Sequence, residues 1–484
     1  MHTILYSEAR HVAVQFIEEF DLPMTMQPAQ DDAVDGADSR PRPNLVIFHR
    51  NMGFMGGAQR DLIVTLPEHA KRWSITVATL NAPQLLLDRC QELGIEVITP
   101  ANAWQRPSGP IAEVTVRAGR TARKAWRSLL PKLKPIMAQA DAYCITLGTG
   151  GIEVMDIIPE DKPLYALIHE RDKGIYDDVA QRNIDGKLRN SLFVKNLALS
   201  LLRRWDQRWH KRLWKRPMTV ISANTPTSSR LLASSHRWPT TNQWVAGHAN
   251  FRDEQLRPAD VGVLWPAIDP SVWPEEEPEQ ERKAWETFEH KPAGPYLLTV
   301  GRACFMKGSK EAVQIAAACS LPLVHVGGGE TEEMQRQAEL FGAELFIMPH
   351  IDEIEIAALM RNAHALIATA RTEGFGLTPM EAIMVGTPAL VVDDCGFTHT
   401  VTDGFNGRRL PWPGSEEGLN QWIEAVEQAG VQANREAWAK AGRERVLQRF
   451  TPNHQAEGMA RAFAAMGVDV ETTELEMLPG LDPA

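Results

Sequence analysis

Short apolar runs of strand length recur along the chain, each followed by a stretch in which apolar positions return at helical spacing. Asn44-Leu-Val-Ile-Phe-His49 opens the series, with a helical pattern from Ala58 towards Leu66 behind it. Further strands are predicted at 74–80, 96–99, 143–147 and 164–169, and a helix over 83–93. A second series predicts strands at 296–300, 323–326, 345–348, 365–368 and 389–392, separated by helical patterns. Alternation of strand and helix at this spacing predicts parallel sheets of βαβ units. Between the two series, Pro274-Glu-Glu-Glu-Pro-Glu-Gln-Glu281 is too acidic and proline-rich for a core.

These breaks divide the chain. The expected organisation is an extension and linker over 1–43, a first domain over 44–273, an acidic linker over 274–290 and a second domain over 291–448. A helix over 449–467 should pack back on the first domain, and 468–484 should fray. Within the extension, 1–23 fits one amphipathic helix and 27–43 has linker composition. The fold class is α/β, with two doubly wound domains facing each other and a ligand at the carboxyl ends of their strands.

Composition changes this picture little. A chain of 484 residues, 44% hydrophobic and 23% charged, has room for two cores and is neither disordered nor fibrous. No apolar run approaches the roughly 20 residues that cross a bilayer. Met1-His2-Thr3 does not begin a secretory signal, so a cytoplasmic location is expected. Five dispersed cysteines without metal-ligand spacing read as reduced thiols.

Charge changes it more. The net −11 argues against a nucleic-acid partner. Yet residues 187–216 hold ten basic residues against one acid, Asp206, a local +9 that leaves −20 for the rest. Trp205, Trp209 and Trp214 are interleaved with these bases, and a second cluster from Arg117 to Lys134 flanks Trp126. Three readings fit: an anionic membrane surface into which the tryptophans insert, a solvated helical face with tryptophans packed inward, or a soluble anionic acceptor.

The densest chemistry lies in Arg371-Thr-Glu373-Gly374-Phe375-Gly376-Leu377-Thr378-Pro379-Met-Glu381. Two carboxylates stand eight positions apart around a GFG loop that follows a predicted buried strand. Thr378, Pro379 and Glu381 read as N-cap, N1 and N3 of a helix ended by Gly386 and Pro388. The amides of Gly376, Leu377 and Thr378 would then form an anion site at the helix start. Glu381 is either a bare capping-box residue or a ligand, and Glu373 either a solvated loop acid or a ligand.

This stretch resembles the E-x7-E motif of the retaining, GT-B fold glycosyltransferases of the glycosyltransferase 4 group. Other pieces are similar to that family in the right order. They are Gly301-Arg302 with Lys307-Gly308, Gly327-Gly-Gly329, Pro349 to Glu353, Gly386-Thr-Pro388, the loop Gly56-Gly57-Ala58 and the turn Val263 to Trp273. The likeness covers roughly 44–465 and is most specific over 296–407.

The resemblance implies two Rossmann-like domains and a nucleotide diphosphate sugar as donor substrate, with no further cofactor. Arg302 and Lys307 would stabilise the diphosphate, Glu381 would hold the ribose and Glu373 a hydroxyl of the sugar. Gly374, Phe375, Gly376, Leu377 and Thr378 would line the donor site, Gly56 and Gly57 would let the backbone approach it, and backbone groups near Ile351 would meet the base. His169, at a strand end, would face the donor sugar or merely cap the strand, and no metal ligand is required. The expected function is transfer of a hexose-type sugar to a cell-envelope, polysaccharide or lipid-linked acceptor, at the inner face of the cytoplasmic membrane. A nucleotide-sugar epimerase of related fold and a catalytically silent GT-B scaffold subunit stand as alternatives.

Overall fold

A computed structural model of the chain describes residues 41–50, 52, 56–107, 116–148, 150–189, 192–236, 262–288, 291–349, 351–473 and 475. The predicted helix over 1–23, the linker up to residue 40 and the tail beyond 475 lie outside the described residues, as does His350.

Among the described residues, thirteen strands form two wholly parallel sheets. The first has β1 (Asn44–His49), β2 (Ser74–Thr79), β3 (Glu96–Ile98), β4 (Ala142–Thr146), β5 (Leu164–Leu167), β6 (Thr219–Ala223) and β7 (Gly262–Val263), in the order β3-β2-β1-β4-β5-β6-β7. The second has β8 (Leu297–Val300), β9 (Leu323–Val326), β10 (Leu345–Met348), β11 (Ala365–Ala368), β12 (Ala389–Val392) and β13 (Arg408–Leu410), in the order β10-β9-β8-β11-β12-β13. In each sheet the chain reverses direction of growth at one place, between β1 and β4 and between β8 and β11. That is where a doubly wound sheet opens a crevice.

Strand β1 shows why the sheets are buried twice over. Val46 and Phe48 join one core with Trp126, Tyr143 and Trp209, while Leu45 and Ile47 join another with Trp73, Tyr165 and Phe463. Successive side chains point to opposite faces, so an uninterrupted apolar run serves two cores.

Phe463 belongs to the helix Pro452–Ala465, which returns from the second lobe to the first. Its ring meets Trp73 edge-on at 5.0 Å. Buried Arg72 and Glu457 form an ion pair at 3.2 Å beside it.

The basic segment corrects one expectation. In the helix Leu192–Lys215, Trp209, Leu213 and Trp214 are buried in the first-lobe core, and Trp205 is half-buried against the same core. The rings pack inward because positions 205, 209 and 213 share one helix face, so they are not available for insertion into a membrane. Arg203, Arg204, Arg208, Lys211, Arg212 and Lys215 occupy the exposed face. The two basic clusters also meet: Arg127 (3.0 Å), Arg212 (2.7 Å) and Arg123 all donate to Asp156. The side chains of 192–198, with Lys195 and Leu197, lie outside the described residues.

Candidate functional site

A cavity of about 320 Å³ lies between the lobes. Its walls come from the carboxyl ends of the strands flanking both switch points: Arg50 after β1, Leu147 after β4, Val300 to Arg302 at β8 and Ala368 to Ala370 at β11. His169, Glu170 and Lys173 follow β5 on the first-lobe side.

Glu373 and Lys307 are joined across this cavity by an ion pair of 2.8 Å. Burial alone would raise the Glu373 pKa, but Lys307 and Lys173 outweigh it and hold the carboxyl at about 2. Glu373 is therefore an acceptor throughout the physiological range and has no proton to give.

The helix after it begins two residues earlier than the capping pattern predicted. It runs over Leu377–Met384, with Gly376 as N-cap at φ 97°, ψ 63° and no side-chain cap. Thr378 is thus the second helical residue, and Glu381 lies too far along to close a capping box. The physical reason is Gly376: only glycine takes this left-handed turn freely, and a Cβ there would overlap the Phe397 ring. The first amides of the helix still open on the cavity, whose lining includes Gly374, Phe375, Gly376, Leu377 and Thr378. Gly374 is pinned between lobes: Thr225 Oγ1 donates to its carbonyl at 3.0 Å, and a Cβ would strike Glu170 and Asn224.

Glu381 is buried and ion-paired with Arg60 of the first lobe at 2.9 Å, and Arg60 also reaches Glu353 at 3.1 Å. Burial raises the Glu381 pKa against the pull of Arg60. Glu381, Gly56 and Ile351 do not line the cavity, whereas Gly57, His169, Arg302 and Lys307 do. Arg302 stands exposed at its edge.

His169 faces buried Asp61, Nε2 to Oδ2, at 3.4 Å. A carboxylate only accepts, so Nε2 carries a proton. Asp61 Oδ1 accepts from the Ala267 amide at 2.9 Å, and Gln455 Nε2 donates to both oxygens at 2.9 and 3.0 Å. Ala267 and Gln455 belong to the two connections between the lobes, so one carboxylate joins both crossings to the cavity histidine.

Arg50, Arg60, Asp61 and Lys173 escaped the reading of the sequence. For Asp61 a signal was present: it lies on the same helix face as Ala58, Leu62 and Thr65, all buried. A charge inside an apolar stripe is worth asking about. Arg60 sits beside it, but nothing local announces partners about three hundred residues away.

Residues 280–445 match the family described as glycosyl transferases group 1. Among curated relatives, the lipopolysaccharide glucosyltransferase WaaG of Escherichia coli is 29% identical over 30% of this chain and 40% of its own length. A glycogen synthase of Mycobacterium tuberculosis is 27% identical over 43% of this chain and 49% of its own. The chain thus spans less than half of the length of these relatives. Solved structures extend the likeness of fold. HepE of Anabaena with UDP and glucose superposes with a TM-score of 0.58 at 16% identity, over 87% of this chain and 100% of that one. WaaG, a glycosyltransferase involved in lipopolysaccharide biosynthesis, gives a TM-score of 0.56 at 19% identity, over 85% and 98%. The paired parallel sheets are the GT-B fold, and residues 280–445 are similar to the glycosyl transferases group 1 family.

Proposed function

We propose that the protein is a retaining, metal-independent glycosyltransferase that moves a hexose-type sugar from a nucleotide diphosphate sugar to a cell-envelope, polysaccharide or lipid-linked acceptor. The observation that carries the reading is the meeting of Arg302, Lys307, Glu373 and a helix N-terminus in one interlobe cavity, opposite His169. HepE holds UDP and glucose on the same fold.

The donor diphosphate lies against Arg302, Lys307 and the first amides of the Leu377–Met384 helix. These supply fixed positive charge where negative charge grows as the glycosidic bond breaks. Glu373, ionised and held by Lys307, accepts from a sugar hydroxyl. The acceptor oxygen bonds to the anomeric carbon on the face that the phosphate leaves, and the acceptor proton passes to the departing phosphate oxygen. No enzymic nucleophile enters this path. Glu381 meets the ribose only once Arg60 has released it.

The test is incubation with a panel of nucleotide sugars, measuring nucleotide released with and without saccharide acceptors. Acceptor-dependent release is expected; conversion of the sugar without acceptor would make the protein an epimerase, and no release from any donor would make it a scaffold. In the same assay, chelation with EDTA leaves transfer within about twofold. Among the described residues, each carboxylate on the cavity wall is already neutralised by a lysine, Glu373 by Lys307 and Glu170 by Lys173 at 2.7 Å, which leaves no oxygen cage there for a divalent ion. Loss of transfer in EDTA, restored by manganese, would overturn the metal-independent path.

The exposed basic face of the Leu192–Lys215 helix brings the first lobe to an anionic membrane. With Trp209 and Trp214 buried, the attraction is electrostatic alone and is screened within a Debye length of about 8 Å. Co-sedimentation with anionic liposomes should therefore disappear in high salt. Equal binding to neutral vesicles, or none to either, would reduce the segment to a solvated face.

A further inference from the structure

Among the described residues, three of the five Arg and Lys side chains on the cavity wall are neutralised at contact: Lys173 by Glu170, Lys307 by Glu373, and Arg60 by Glu381 and Glu353. Arg302 and Arg50 remain, one from each lobe. Neither guanidinium has a carboxylate contact among the described residues.

Arg302 faces the place where the donor diphosphate is put. Arg50 does not share that wall. It leaves the end of β1 and lies over Gly148 and Gly151, where a Cβ at either position would crowd its side chain. The slot is therefore shaped to carry a long side chain into the cavity. Arg50 Nε is buried with no hydrogen-bond partner among the described residues. Glu170 and Asp172 attract it from a distance, but both are engaged elsewhere: Glu170 with Lys173, and Asp172 with the Gly174 amide at 2.9 Å.

The contrast with Arg60 is informative. The nearby Glu381 raises the Arg60 pKa above its ordinary value, whereas burial pulls that of Arg50 below. A shielded guanidinium without a counter-ion is unfavourable, and a fork of donors open to the cavity satisfies a planar or tetrahedral oxyanion well.

We propose that Arg50 is the anion-recognising element of the acceptor subsite, and that the acceptor bears a phosphate or carboxylate close to the hydroxyl that receives the sugar. The inference rests on the reading of the second lobe as the donor side. The two unpaired cations then sort to two anions, Arg302 to the leaving diphosphate and Arg50 to the acceptor.

Calorimetry on the full chain separates this inference from the reading beneath it. UDP and other nucleoside diphosphates are titrated first, and failure of all of them to bind sinks the donor reading and the acceptor subsite together. Protein saturated with the diphosphate that binds is then titrated in parallel with inorganic phosphate, glucuronate and glucose. Binding of phosphate, of glucuronate or of both is expected, and the pattern says which oxyanion the subsite takes. Arg50→Gln should weaken that binding by about ten- to a hundredfold, and Arg50→Lys, which keeps the charge and guards against misfolding, by less. Exclusion of phosphate and glucuronate by the bound nucleotide would place Arg50 in the donor site. Unchanged anion affinity in Arg50→Gln, or glucose binding as well as the anions, would likewise overturn the inference.

Discussion

Lys307→Ala lowers kcat/KM by about two to three orders of magnitude in a protein that remains folded. The loss has two sources. The diphosphate leaves without one of its fixed cations, an effect of that size at active sites that stabilise developing charge. In addition, the Glu373 carboxylate loses its 2.8 Å partner and, with only Lys173 left to offset it, turns negative charge towards the phosphates. The second source has its own signature in the pH profile. With Lys307 present, Glu373 is held near 2, below the ordinary 4.5, so its pairing is complete above the ordinary value and is lost only as pH falls through about 2. Between pH 5 and 9 it contributes no limb. Without Lys307, burial is opposed mainly by Lys173, the Glu373 pKa rises, and an acid limb enters the profile of kcat/KM. Near-normal turnover in Lys307→Ala, with an unaltered profile, would remove Lys307 and Glu373 from the donor site.

Asp61→Ala has the largest expected effect on stability. It strands the Ala267 amide and takes one of the two Gln455 Nε2 hydrogens from its acceptor, leaving that carboxamide only the Trp265 carbonyl, at the junction of the lobes. Buried donors left without acceptors cost about 1–3 kcal/mol each, so a loss of about 3 kcal/mol and a Tm lower by several degrees are expected. Asp61→Asn separates stability from chemistry. Its oxygen can still serve the Ala267 amide, but an amide nitrogen turned to His169 reverses the imidazole tautomer. Turnover should then fall by about a hundredfold while thermal melting changes far less. Asp61→Asn with full turnover would show that the His169 tautomer is irrelevant to transfer.

Local pattern carried most of the sheet cores into view. Strands such as Ala365–Ala368 and Ala389–Val392 are uninterrupted apolar runs of strand length. The strands that escaped notice are different in kind. Thr219–Ala223 mixes threonine and serine into its run, Gly262–Val263 is two residues long, and Arg408–Leu410 sits at a sheet edge, where arginines are tolerated.

At the cavity, residues close in sequence could be grouped from sequence alone because one loop delivers them: Glu373, the GFG glycines and the helix that follows. Glu381 could not be judged locally, since its partner is Arg60 in the other lobe. Likewise, the distinction between tryptophans for a membrane and tryptophans for a core depends on which helix face the sheet covers, and that is a tertiary fact.

The returning helix Pro452–Ala465 has a consequence for synthesis on the ribosome. The first lobe leaves the ribosome first, and proteins of this size generally fold their domains in that order. Here Met459 and Phe463 are part of its core, packed with Trp73 and Tyr165. Until those late residues are free, part of one face of the first sheet stays uncovered, while the second lobe has emerged with nearly all of its own core. The lobe made last can therefore close first, and the nascent first lobe waits, with an apolar groove open, for the end of its own chain.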